Sequence, residues 1–95
     1  MSDLQVRHNR DEAQFEADVE GGLAVVAYNE RDGEIIFHHT EVPVASEGKG
    51  VAQALVRTAL QYARDQQLAV VAECAYVAAF VRKHREYDDI LAEAP

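Results

Sequence analysis

Residues 41–52 constrain this chain more than any other segment, because they run from a strand through a glycine-rich turn into a helix. The turn contains Gly48 and Gly50, and the helix after it is strongly amphipathic. Free backbone N–H groups at such a turn, together with the positive end of the helix dipole, form a site for a phosphate or pyrophosphate. The segment therefore predicts a strand–turn–helix unit that carries an anion site.

The residues before this unit alternate between polar and apolar side chains, as half-buried strands do. This alternation predicts four strands, at residues 6–10, 13–19, 23–28 and 34–42. Residues 29–33 read as a hairpin turn in which Asp32 and Gly33 take the positive-φ positions. Pro43 ends the fourth strand because it has no N–H to donate to a ladder. The first half is therefore predicted to be an antiparallel meander.

The second half has the periodicity of helices that lie on a sheet. Between residues 49 and 66, one face carries Val51, Ala52, Leu55, Val56, Ala59, Leu60 and Ala63. In a second, shorter helix, one face carries Val77, Phe80, Val81 and His84, and Tyr87, Ile90 and Leu91 follow to close the core.

Residues 68–72, between the two helices, form a short apolar strand. Such a strand is buried on both faces, and we expect it to pair in parallel with the strand ending at Val42. The order β-β-β-β-α-β-α predicts an α+β fold with a mostly antiparallel sheet and one parallel pair.

Composition narrows the class of protein. With 95 residues, 48% of them hydrophobic, we expect one domain over residues 1–95. A net charge of −8 argues against a nucleic-acid partner, because such proteins present a basic face. The N-terminus lacks a basic and apolar leader, and no apolar run approaches the ~20 residues of a membrane span. The single cysteine, Cys74, fits a reducing compartment. We expect a cytoplasmic protein, monomeric or homodimeric, with no membrane partner.

Two familiar phosphate motifs do not fit the turn. No Ser or Thr follows Lys49, as a P-loop requires, and Gln53 stands where a dinucleotide fingerprint has its third glycine. A metal site is not expected either, because adjacent strand residues such as His38 and His39 point to opposite faces and cannot share one ion.

A third pattern fits. Residues 47–52, Glu-Gly-Lys-Gly-Val-Ala, resemble motif A of the GCN5-related N-acetyltransferases, [Arg/Gln]-x-x-Gly-x-[Gly/Ala], at Gly50 and Ala52. Together with residues 39–43, Cys74, Lys83-His84 and Glu86-Tyr87, they resemble a small, single-motif branch of that superfamily. The resemblance covers about residues 6–91. It implies a minimal form of the acetyltransferase fold and coenzyme A as the bound molecule.

The resemblance also implies a set of cofactor-binding residues: Val42, Val44, Glu47, Gly48, Lys49, Gly50, Val51, Ala52 and Lys83. The backbone amides of residues 48–52 would bind the pyrophosphate, with Lys49 as a candidate for a further contact, and the backbone at Val42 and Val44 would bind the pantetheine arm. Lys83 is either a residue that neutralises a phosphate of CoA or a solvated cation at a helix end. Glu47 departs from the pattern, since a carboxylate repels a pyrophosphate unless it points away or pairs with a base.

Three catalytic candidates follow. Cys74 is either a nucleophile activated by the start of the next helix or a small buried apolar residue. Tyr76, with Tyr87 as an alternative, is either a general acid for the leaving thiolate or a packing residue. His39 is either a base in the cleft or a structural histidine.

The sequence thus predicts a protein that binds acetyl-CoA and transfers its acetyl group to an amine. Transfer would be direct or through Cys74, with a backbone N–H near residues 42–44 stabilising the oxyanion. So short a chain leaves little room for an acceptor pocket, which favours a small amine or a peptide amine. The alternatives are a non-catalytic module that binds CoA or acyl-CoA, and a domain that binds another phosphate ligand.

Overall fold

The computed structural model of the protein describes residues 4–92. Its strands are β1 (Arg7–Asn9), β2 (Gln14–Val19), β3 (Gly22–Arg31), β4 (Glu34–Glu41) and β5 (Ala69–Ala72), and its helices are α1 (Val51–Asp65) and α2 (Ala75–Lys83). Short 3₁₀ turns cover Val44–Ser46, before α1, and Arg85–Ile90, after α2.

The predicted fold class is confirmed. The five strands form one sheet in the order β1-β2-β3-β4-β5. Neighbours from β1 to β4 are antiparallel, and β4 pairs with β5 in parallel through the α1 crossover. Such crossovers are preferentially right-handed, and α1 packs against one face of the sheet. None of the helices within residues 4–92 is long and apolar enough to cross a membrane.

The β3–β4 hairpin is tighter than predicted. Asp32 and Gly33 have φ values of 53° and 81°, as expected for its turn. However, Asn29, Glu30 and Arg31 belong to β3 rather than to the turn. Strand pairing with Ile35 and Ile36 extends the ladder through these polar residues, so their composition alone gave too early an end to the strand.

The core lies between the sheet and the two helices. The apolar face of α1 is buried at every predicted position except Ala52, which is half-buried. α2 buries Val77, Phe80 and Val81, while Tyr87 is also buried and Ile90 and Leu91 pack against the same cluster. His84 ends α2 and stacks on Phe80 with 4.2 Å between ring centroids, in agreement with a packing role.

A β-bulge interrupts β4 next to the predicted cleft. Ala27 of β3 pairs with His39, but the next residue, Tyr28, pairs with Phe37, so His38 is the extra residue. A bulge changes which side chains face each side of a strand. Thr40 therefore shares a face with its partner Val26 in the core, and His39 lies on the opposite, outer face. Both histidines are exposed.

The parallel ladder between β4 and β5 ends at the Phe37–Ala72 pair. There the carbonyl of Phe37 accepts hydrogen bonds from the N–H groups of Glu73 and Cys74, at 2.9 and 2.8 Å. Beyond it, β4 continues to Glu41 beside β3 alone, while the chain after β5 turns into α2. The two strands thus no longer pair beyond this point, although Thr40 of β4 still contacts Cys74 at the start of α2.

Aromatic side chains pack around His8 of β1, at the edge of the sheet. The ring of His8 stacks on Phe15 with 4.0 Å between centroids, and its Nε2 lies 2.5 Å from the Tyr28 hydroxyl. Burial lowers the pKa of His8 below its ordinary value, and the Arg10 guanidinium lowers this pKa further, against a raising effect of Glu30. The folded protein therefore favours the neutral imidazole.

This lowered pKa predicts a loss of stability between pH 7.5 and 5.5. As the pH falls past the ordinary histidine pKa of about 6.5, the unfolded chain binds a proton at His8 that the folded chain binds only at lower pH. The contribution of His8 to the free energy of unfolding is therefore fully present above this pH window and decreases as the pH falls through it. His8→Phe keeps an aromatic ring beside Phe15 and removes the titration. Thermal unfolding should show a larger decrease in Tm for the wild type than for His8→Phe, and equal decreases would contradict the prediction.

Candidate functional site

The glycine loop ends in an uncapped helix N-terminus. Gly48 and Gly50 have φ values of 78° and 81°, and Gly50 is the N-cap of α1 without any side-chain capping bond. The first backbone bond of the helix runs from Ala54 N–H to Gly50 O, at 3.1 Å. Within residues 4–92, the N–H groups of residues 51–53 have no backbone acceptor. These three donors point out of the helix end and are available to an anion.

A cavity of about 510 Å³ opens at this helix end. It is lined by Val42, Ser46, Glu47, Gly48, Gly50, Val51, Ala52, Gln53 and Tyr76. Six of the predicted cofactor-binding residues and the predicted general acid therefore border one space. A larger cavity of about 700 Å³ runs along β5 and α2, but none of the predicted site residues lines it. We therefore take the glycine-loop cavity as the candidate site.

The remaining predicted cofactor-binding residues lie outside this cavity. Lys49 Nζ is 3.4 Å from Glu20 Oε1, and Lys49 lines a different cavity beside α1. Val44 is 82% exposed, and its carbonyl accepts the Glu47 N–H at 3.1 Å. Lys83 is an exposed residue in the last turn of α2. Because both partners are exposed, the Lys49–Glu20 pair is weak and can open.

Glu47 is exposed and borders the cavity from the end of the first 3₁₀ turn. Among the described residues, no cationic side chain lies within ion-pair distance of its carboxylate. It contributes negative charge to a space whose backbone donors favour an anion.

Cys74 is the N-cap of α2 and only 9% exposed. Its Sγ lies 3.2 Å from Thr40 Oγ1, and this contact exists because the bulge turns Thr40 inward. Sequence reasoning missed Thr40, since regular alternation along β4 offers no sign of the bulge. The thiol packs in the core and does not line the cavity, whereas Tyr76, two residues later, does and is 40% exposed.

The other two candidate groups lie away from the cavity. The Tyr87 hydroxyl accepts a hydrogen bond from Arg57 at 3.5 Å, and its ring is buried, so Tyr87 is a packing residue. His39, on the outer face, has its Nε2 3.2 Å from Glu41 Oε1. Among the side chains proposed for acid or base roles, only Tyr76 borders the glycine-loop cavity.

Known proteins are similar to this chain in sequence and in fold. Residues 14–90 match the family model described as GCN5-related N-acetyl-transferase. The chain is 32% identical over 84 residues to Protein NATD1 of Gallus gallus, which covers 85% of this chain and 76% of that protein. For Protein NATD1 of Homo sapiens the values are 31%, 85% and 74%. The solution structure of a GCN5-like protein from Staphylococcus aureus superimposes with a TM-score of 0.72 at 24% identity, over 100% of this chain and 94% of that one, and so shares the fold.

Proposed function

The chain belongs to the GCN5-related N-acetyltransferase family, and from this membership we propose that it binds acetyl-CoA and transfers the acetyl group to an amine. The observation that carries the proposal is the cavity in which the free N–H groups at the start of α1 lie beside Tyr76. The anion site and a proton donor thus share one space, as transfer from an acyl thioester with a diphosphate tail requires.

The diphosphate fits the N-terminus of α1. The helix offers three unpaired backbone donors, has no side chain capping it and carries no acidic residue in its first turn. An added Cβ at Gly48 or Gly50 would meet no atom within 4 Å, so solvent and ligand can reach this backbone. Of the described residues that line the cavity, Glu47 is the one whose carboxylate opposes the charge of the ligand.

The pantetheine arm would follow the end of β4. Past the Phe37–Ala72 pair, this stretch of β4 is bordered by β3 alone among the described strands, which leaves its other edge for a ligand. Val42 continues from this edge into the cavity. Backbone N–H groups near residues 42–44 are then suited to stabilise the oxyanion of the tetrahedral intermediate.

Direct transfer suits the positions of the side chains. The neutral amine attacks the thioester carbonyl, the N–C bond forms, and the C–S bond breaks. The Tyr76 hydroxyl protonates the departing thiolate and regains its proton from solvent, with which it is in contact. The proton of the amine passes to water. Cys74, buried against Thr40, is left out of this route.

The acceptor belongs to a class of small or extended amines. Among the described residues, the glycine loop, the cofactor track and the core use most of the chain, so little of it is left to enclose an acceptor. The net charge of −8 favours a cationic amine over an acidic one. We propose a cytoplasmic reaction on a small amine or the amine of a peptide.

Binding is tested by thermal unfolding with added ligands. A ligand that binds the folded state alone raises Tm as its concentration passes its Kd. Acetyl-CoA and CoA should raise Tm, and ATP and NAD at the same concentration should not. The absence of any shift with acetyl-CoA would overturn the proposal. Transfer is then measured with labelled acetyl-CoA and a panel of amines.

Tyr76→Phe should lower kcat by about 100-fold, the lower end of what a general acid contributes. The phenyl ring keeps the packing, and only the hydroxyl is lost. Cys74→Ala is the matched comparison, and it should keep kcat within about threefold of the wild type if transfer is direct. A Cys74→Ala protein without activity, or an acetylated Cys74 in the mass spectrum of the intact protein, would show transfer through the thiol instead.

One observation favours a second candidate, a module that binds CoA without transferring acetyl groups. Glu47 replaces the Arg or Gln of the motif, and among residues 4–92 no histidine or carboxylate other than Glu47 lines the cavity as a base. Such a module would bind CoA and acetyl-CoA with similar affinity and acetylate no member of the amine panel.

A further inference from the structure

The side chains around the glycine-loop cavity differ in whether they can still donate a hydrogen bond. Ser46 is 3% exposed, and its hydroxyl already donates to the Glu20 carbonyl at 2.8 Å. Lys49 Nζ lies 3.4 Å from Glu20 Oε1 and lines another cavity. The carboxylate oxygens of Glu47 act as acceptors. Among the described residues, Gln53 and Tyr76 are the lining side chains that remain as donors.

Gln53 is placed for the anion rather than for the core. It is the third residue of α1, is exposed, and lines the cavity together with Gly48 and Gly50. Its own backbone N–H is one of the unpaired donors at the helix end. Tyr76, by contrast, lies at the start of α2, on the side of Cys74. The backbone donors and the Gln53 amide therefore belong to the same helix terminus.

We propose that Gln53 is a specificity-determining residue that donates its side-chain N–H to the diphosphate, and that Glu47 opposes binding of the same group. This inference rests on the proposed function, since it concerns the diphosphate of acetyl-CoA. An amide supplies two N–H donors without adding charge, and a hydrogen bond to an anionic oxygen is among the stronger ones. Gln53 thus supplies the side-chain donor that position 47 lacks in this chain.

Gln53→Met and Glu47→Gln test the two halves of this proposal. Met has nearly the shape of Gln but cannot donate, so Gln53→Met should weaken acetyl-CoA binding about tenfold. Glu47→Gln removes the repulsion and adds a donor, so it should tighten binding severalfold. Gln61→Met is the control, because Gln61 is an exposed glutamine of the same helix whose amide donates to Asp65 at 2.9 Å, away from the cavity.

Each protein is titrated calorimetrically with acetyl-CoA and, at millimolar concentration, with S-acetylpantetheine, which lacks the diphosphate. The Gln53→Met loss should appear with acetyl-CoA and be absent with S-acetylpantetheine. A Gln53→Met protein that binds acetyl-CoA as tightly as the wild type would overturn the inference and leave the proposed function standing, as would an equal loss with both ligands. A wild-type protein that does not bind acetyl-CoA would overturn both.

Discussion

Gly50→Val should lower the affinity for acetyl-CoA more than 100-fold. Gly50 has a φ of 81°, a region in which a β-branched residue is strained, so the loop would move away from this conformation. The N–H groups that follow would then turn away from the diphosphate. Hydrogen bonds to charged groups contribute roughly 1.5–3 kcal/mol each, and a tenfold change in affinity is about 1.4 kcal/mol. The loss of two such bonds already gives about a hundredfold.

Gly33→Val separates this effect from backbone strain. Gly33 also has a φ of 81°, and at both positions an added Cβ meets no atom within 4 Å. Strain at either residue should cost about 1–3 kcal/mol of folding free energy. Gly33 lies in the β3–β4 turn and does not line the cavity, so only Gly50→Val should lose binding. If calorimetry gave the two variants the same affinity, the glycine loop would not be the cofactor site.

Local patterns were enough to predict the elements that position this loop. The apolar stripe of α1, the short apolar β5 and the Asp32–Gly33 turn each depend on residues within a few positions of one another. The phosphate site proposed at residues 48–52 is local too, because the proposal depends on glycines and a helix N-terminus. These features can be predicted from the sequence because they do not depend on residues that are distant in the chain.

Features set by distant partners could not be predicted. The bulge at His38 depends on the pairing of β4 with β3. Because of the bulge, Thr40 rather than His39 faces the core. The pairing of Lys49 with Glu20 joins residues 29 positions apart.

Phe37→Ala should strongly lower the free energy of unfolding. The Phe37 side chain is 1% exposed and meets the Tyr28 ring edge-on, with 6.3 Å between centroids. Truncation of a buried phenylalanine costs about 3–5 kcal/mol, through lost burial and the cavity that remains. The total free energy of unfolding of a domain of 95 residues is about 5–15 kcal/mol. In a domain of this size 1 kcal/mol corresponds to about 4–8 °C, so Tm should fall by roughly 15 °C or more.

Leu23→Ala is the matched control, since it truncates a large apolar strand residue that is 41% exposed, and it should cost less than about 1 kcal/mol. Phe37→Leu, a smaller truncation, keeps a folded protein available for binding measurements. Because the Phe37 carbonyl holds the N–H groups of Glu73 and Cys74 where β4 and β5 diverge, loss of packing here should also loosen the start of α2. Hydrogen exchange of the Cys74 amide should therefore be faster in Phe37→Leu than in Leu23→Ala. Equal exchange in the two variants would mean that the divergence of the strands does not depend on this side chain.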